Sequence, residues 1–156
     1  MKRDTSDISS RYVVLDDCGK EKYIVTGKSI SSKQRLIVSD GENTKLSEII
    51  LNSLVATYFM IKCDKRIYAL VPCINEQFAF LIYGSTLRFF GNISEGRFSL
   101  IDVDKSVVMS QKKCWGKYGT GFELNILDDE QELFALSVAI CADMYISATE
   151  NSAVLT

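Results

Sequence analysis

Histidine is absent from all 156 residues. That absence excludes Ser-His-Asp and Cys-His nucleophiles, the HExxH zinc helix and the facial-triad iron site together. Proline occurs once, at Pro72, so extended runs escape the residue that most often ends them. The five cysteines, Cys18, Cys63, Cys73, Cys114 and Cys141, form no CxxC pair. An odd count at irregular spacing fits neither a secreted disulfide framework nor a zinc site, and a reducing, cytoplasmic setting is the expectation. There is no excess of positive charge: 18 Lys and Arg stand against 20 Asp and Glu, a net −2. The overall basic balance of a dedicated nucleic-acid binder is missing. Lys2 and Arg3 are not followed by an apolar h-region, so residues 1–10 read as a flexible tail rather than a secretory signal.

What is present is β-forming text. Between Arg11 and Leu127, short runs rich in Val, Ile, Tyr and Phe alternate with Asp, Gly, Asn and Ser, the pattern of strands and turns. Eleven strands are predicted: Arg11 to Leu15, Lys22 to Lys28, Arg35 to Ser39, Lys45 to Leu54, Thr57 to Lys62, Arg66 to Val71, Gln77 to Tyr83, Leu87 to Gly91, Arg97 to Ile101, Ser106 to Gln111 and Gly121 to Leu127. A repeat underlies them. YVVLDDCGKEKYIV, LIVSDGENTKLSEI and FMIKCDKRIYALV each carry an apolar strand into an Asp-bearing turn and a partner strand, the signature of a β-hairpin. Asp17, Asp40, Asp64, Asp104 and Asp128 mark the turns, and Gly84 stands in the place of another. A meander of so many short strands must hide its edges, and a closed antiparallel barrel does so more completely than a two-sheet sandwich.

From Asp128 the period changes. DDEQELFALSVAICADMYISATE has no Gly or Pro, opens on an N-cap Asp128, and places Asp129, Glu130 and Glu132 at the positive end of a helix dipole. A helix over about 129–148 is predicted. Its centre, Leu133 to Ile146, is apolar on every side, so it should be surrounded by protein. The run is too short for a membrane span, which needs about 20 apolar residues. The expected architecture is therefore mainly β: a closed barrel of about twelve antiparallel strands around a buried hydrophobic C-terminal helix. It forms one domain over residues 11–149, and residues 150–156 form a tail.

SQKKCWGKYGTGFELNILDDEQELFALSVAICADM, Ser110 to Met144, joins a lysine pair, an aromatic and glycine turn, an aromatic strand, an acidic helix cap and an apolar helix ending near an Asp. With LRFFGNISEGRFSLID, it resembles the LURP-one-related family of the tubby C-terminal-like superfamily, to which phospholipid scramblases are distantly related. The resemblance spans Tyr12 to Ile146. It implies a twelve-stranded barrel around a central helix. Tubby domains bind phosphoinositides through a basic surface, but their lipid-binding residues have no position-by-position match here, nor does the scramblase calcium segment.

Each candidate for chemistry has a structural reading. The acidic pairs lack calcium-loop spacing and sit where turns and caps want Asp. Cys114, beside Trp115 and close to Lys112, Lys113 and Lys117, has cations but no base. Phe78, Phe80, Phe89, Phe90, Phe98 and Phe122 suit a barrel interior better than a base-stacking platform. Gly116, Gly119 and Gly121 lack the strand and helix context of a phosphate loop. No catalytic residue, metal ligand or cofactor is expected.

Charge is more informative. A meander sends its connections alternately to two ends, and the turn segments are net acidic whereas the longer links are net basic. Lys28, Lys33 and Arg35 fall in one predicted link, Lys112, Lys113 and Lys117 in another, and both should share one pole. The expectation is a non-enzymatic domain, cytoplasmic with peripheral membrane contact, that meets anionic phospholipid headgroups through this basic end. A protein–protein interaction module without lipid affinity, meeting an acidic protein partner, and a small-molecule binder are the alternatives; no nucleic-acid partner is expected.

Overall fold

The computed structural model describes residues 8–30, 33–52, 57–73, 79–116 and 119–154. The chain divides into two compact units, residues 1–69 and 70–156. All eleven predicted strands are present: β1 (Ile8–Leu15), β2 (Glu21–Ile30), β3 (Lys33–Asp40), β4 (Lys45–Asn52), β5 (Tyr58–Cys63), β6 (Arg66–Cys73), β7 (Ala79–Tyr83), β8 (Arg88–Asn92), β9 (Arg97–Ile101), β10 (Val107–Gly116) and β11 (Gly119–Ile126). They form a seven-stranded sheet in the order β1 to β7 and a four-stranded sheet in the order β11-β10-β9-β8. The protein is thus mainly β, with two antiparallel sheets and one C-terminal helix. Among the described residues no ladder joins one sheet to the other, so they form two open sheets and not the predicted closed barrel of about twelve strands.

In the first unit, β1 to β5 pair with their sequence neighbours. The turns repeat one device. Asp16 Oδ1 accepts from the N–H groups of Cys18 and Lys20, both at 2.9 Å, and Asp40 Oδ1 accepts from Glu42 and Thr44 at the same distances. In each, the residue three positions on, Gly19 or Asn43, takes positive φ and donates to the Asp carbonyl. This is a type I turn closed by a left-handed residue, which matches the twist of the strands it joins. The acidic marker of the first turn is therefore Asp16 rather than Asp17. One face of these strands forms the core, with Val25, Leu36, Val38, Ile49, Phe59 and Ile61 essentially fully buried. Strand β1 begins at Ile8, inside the stretch predicted to be a tail, because Ile8, Ser9 and Ser10 extend the pairing with β2 to Lys28.

In the second unit, Phe89 stacks on Phe98 with centroids 4.4 Å apart, and Phe80 sets its edge against Phe89 at 5.6 Å and Tyr145 at 5.4 Å. Asp128 caps the helical segment, its side chain accepting from the N–H of Glu130. A single 3-10 turn, Asp129–Gln131, leads into α1, Glu132–Val154. The helix therefore outruns both its predicted end at 148 and the predicted tail at 150, since no Gly or Pro stops it there. Residues 134–142 are buried without interruption. At about 100° per residue, nine successive positions point in every direction around the axis, so this stretch is enclosed on all sides. The one hydroxyl within it, Ser137, donates to the Leu133 carbonyl at 2.8 Å, which removes the cost of its burial.

Candidate anion-binding surface

The cations predicted to lie in links lie mostly in strands. Lys28 belongs to β2, Lys33 and Arg35 to β3, and Lys112 and Lys113 to β10. The reason is hairpin length: β2 and β3 pair out to Ile30 and Lys33, leaving two residues between them, and β10 and β11 pair out to Gly116 and Gly119. Lys117 lies outside the described residues. Lys28 and Arg35 are direct partners across the β2–β3 ladder. Lys28, Lys33 and Arg35 form one group in the first unit, and Lys112 and Lys113 a second group in the other unit.

In the second unit, Lys112 pairs with Glu123 directly across the β10–β11 ladder at 3.5 Å. Both side chains are about 60% exposed, so this ion pair contributes a few tenths of a kcal/mol at most, roughly. Lys113 is exposed on the other face of β10, and its stem closes on Gly96, where an added Cβ would stand 2.8 Å from Lys113 Cβ. Gly96 also has φ +71°, so this close approach requires glycine twice over. Gln111, two residues earlier, is buried between Phe98 and Leu124 in register, and its Oε1 has no hydrogen-bond partner among the described residues.

The first unit contains a better-built cluster. Glu48 on β4 receives Arg35 Nε at 2.6 Å and Lys45 Nζ at 2.6 Å. Its carboxylate side chain is only 8% exposed, whereas the two cations are each 48% exposed. Burial pushes the Glu48 carboxyl up, but the hydrogen bonds and charges of Lys45 and Arg35 outweigh it and hold the group below its ordinary value. Glu48 lies opposite Ile37 on β3 and Lys62 on β5. Neither Lys45 nor Lys62 was among the predicted site residues; the signal was there in strand alternation, once the registers of three strands are known.

The remaining candidates resolve into structure. Asp102 accepts from Thr86 Oγ1 and from the N–H of Val103. Asp104 accepts from the hydroxyl and N–H of Ser106, and these hold its carboxyl below the usual range. Burial, then the Asp64 carboxylate, push the Cys63 thiol up to about 11, and burial raises Cys141 as well; neither is a thiolate near neutrality. Among the described residues no three His, Cys, Asp or Glu side chains stand close enough to hold a metal ion, and no helix is long and apolar enough to cross a membrane.

No family model matches the chain, and no solved structure matches it. Its sequence is similar to that of the uncharacterized protein YxjI of Bacillus subtilis (strain 168), with 24% identity over 157 residues, covering 99% of this chain and 96% of the relative.

Proposed function

We propose that this protein is a non-enzymatic binding domain of the LURP-one-related, tubby-like type, a closed antiparallel barrel around α1, acting at the cytoplasmic surface of a membrane. Its ligand is the anionic phospholipid headgroup. Lys28, Lys33 and Arg35 in one unit and Lys112, Lys113 and Lys117 in the other supply the contacts. The enclosure of residues 134–142 on every side supports a helix-centred barrel. The observation that carries the ligand class is the placement of exposed cations on paired strands, with Lys33 and Arg35 open to solvent on β3. Asp16, Asp40 and Asp128, by contrast, are taken up by turns and a helix cap, and Glu48 by one ion cluster. Each basic residue near an anionic leaflet is worth about 1 kcal/mol, so several together give useful affinity while none acts alone.

Co-sedimentation with vesicles of phosphatidylcholine, alone or mixed with phosphatidylserine, tests this at two salt concentrations. The protein should pellet with the anionic vesicles at low salt and be released at high salt, where exposed charges are screened. Wild-type protein that ignores anionic vesicles at low salt would overturn the reading. A protein–protein interaction module would then take its place. That second reading has its own observation: Phe90 is 71% exposed, with Leu81 and Tyr83 also exposed in the same unit, and large exposed apolar side chains favour a protein partner.

A further inference from the structure

The registers of β2 to β5 define a surface that the separate residues do not. The strands place Arg35 beside Ile50 and Met60 in one row, and Ile37 beside Glu48 and Lys62 in the next. Alternation adds Lys33 to the same face, two residues before Arg35, and the contact with Glu48 places Lys45 there. This face is the reverse of the one that buries Leu36, Val38, Ile49, Phe59 and Ile61. Its described charges are four exposed cations, Lys33, Arg35, Lys45 and Lys62, and one carboxylate, Glu48, a net +3. Between them stand Ile37, Ile50 and Met60, each half-buried. No acid of the first unit's turns shares these rows: Asp16 and Asp40 are held by turn N–H groups.

We infer that this outer face of β3 to β5, rather than the strand ends, is the surface that docks on an anionic bilayer, with Glu48 holding Arg35 and Lys45 in place between the strands. The inference rests on the lipid reading above and specifies its site. Charge complementarity carries it: a net +3 concentrated on three strands spanning roughly 10 Å meets a negative leaflet far better than a chain of net −2 does as a whole. The interleaved side chains Ile37, Ile50 and Met60 are aliphatic, which suits the headgroup boundary; one aromatic, Tyr58, stands in the row of Lys33 and Asn52 and accepts from Asn52 Nδ2, and a single ring is no platform for successive nucleic-acid bases. Glu48 neutralises one charge of the face and competes with an anionic headgroup for Arg35 and Lys45, both of which it holds at 2.6 Å.

Three variants test the inference by co-sedimentation with vesicles of phosphatidylcholine and phosphatidylserine at low salt. Lys33→Gln combined with Lys62→Gln leaves the Glu48 cluster untouched and should weaken binding roughly thirtyfold, at about fivefold per cation, with an unchanged thermal midpoint. Lys112→Gln combined with Lys113→Gln is the comparison arm and should weaken it less. Glu48→Gln should strengthen binding, by about fivefold, because the face then carries a net +4. A purely structural Glu48 would give no such gain. If the Lys33/Lys62 variant binds like wild type while the Lys112/Lys113 variant loses binding, the face is wrong and the lipid reading stands. If wild type itself fails to pellet, or pellets equally with phosphatidylcholine alone, both fall.

Discussion

Helix α1 and strands β3 to β5 bury similar side chains by different geometry. Along α1 nine consecutive residues are out of water, so no position between Phe134 and Ala142 has a solvent side to which a charge could turn. Along β3 the burial alternates: Leu36 and Val38 are closed off while Arg35 and Ile37, their neighbours in the chain, belong to the other face. A strand therefore carries two chemistries at a spacing of two residues, and the helix carries one. The lesson concerns where function can reside. Residues 134–142 carry no charge, whereas Lys33, Arg35, Lys62, Lys112 and Lys113 stand exposed on alternating strands.

The sharpest way to break this contrast is to put a charge into the enclosed stretch. Ala139→Asp or Ile140→Lys should abolish soluble folding, since an unpartnered charge there belongs to the rare substitutions costing more than about 4 kcal/mol. Soluble yield and thermal unfolding check it, and a variant that kept its midpoint would mean that α1 has a wet side. Next comes a pair of adjacent truncations on β5. Phe59→Ala, at a fully buried position, should cost about 3–5 kcal/mol, whereas Met60→Ala on the reverse face should cost about 1 kcal/mol or less. Equal losses in denaturant titrations of the two would erase the assignment of faces. The smallest effect is expected from Glu48→Gln, measured as stability against pH. The Glu48 carboxyl is held below its ordinary value in the folded protein. Its contribution is therefore complete above the unfolded-state value of about 4.5 and lost as pH falls through the lowered folded one. The wild-type advantage over Glu48→Gln, about 1 kcal/mol at neutral pH, should shrink toward zero as the solution is acidified past that range. An advantage that stayed constant down to low pH would show that packing, not ionisation, gives Glu48 its role.

Much of the fold could be read in advance because its signals are local. Each strand declares itself within eight or ten residues, each Asp turn within five, and Asp128 caps the helical segment as its neighbours predict. Strand ends were harder to see at Lys28, Lys33, Lys112 and Lys113. Lysine looks like loop text, yet on one face of a hairpin it is an ordinary outward residue. The Glu48 cluster was hidden for another reason. Its partner Arg35 is on a different strand, and the pairing depends on a register shift between Val38 and Ser39 that no single-strand pattern contains. Local periodicity fixes which residues face together, but only the bulge fixes which of them touch.

The order of elements along the chain has a consequence for biosynthesis. All eleven strands precede α1, so each hairpin can close over its short turn within microseconds as it leaves the ribosome. The second unit's apolar side chains that pack on α1, such as Phe80 against Tyr145, by contrast, stand open to water until the helix follows. The nascent chain therefore passes through a stage rich in ladders and poor in cover, the condition in which partly folded chains associate with one another. Release of a product cut short before Asp128 would extend that exposure indefinitely, and such a fragment should collect in the insoluble fraction however well its hairpins have formed.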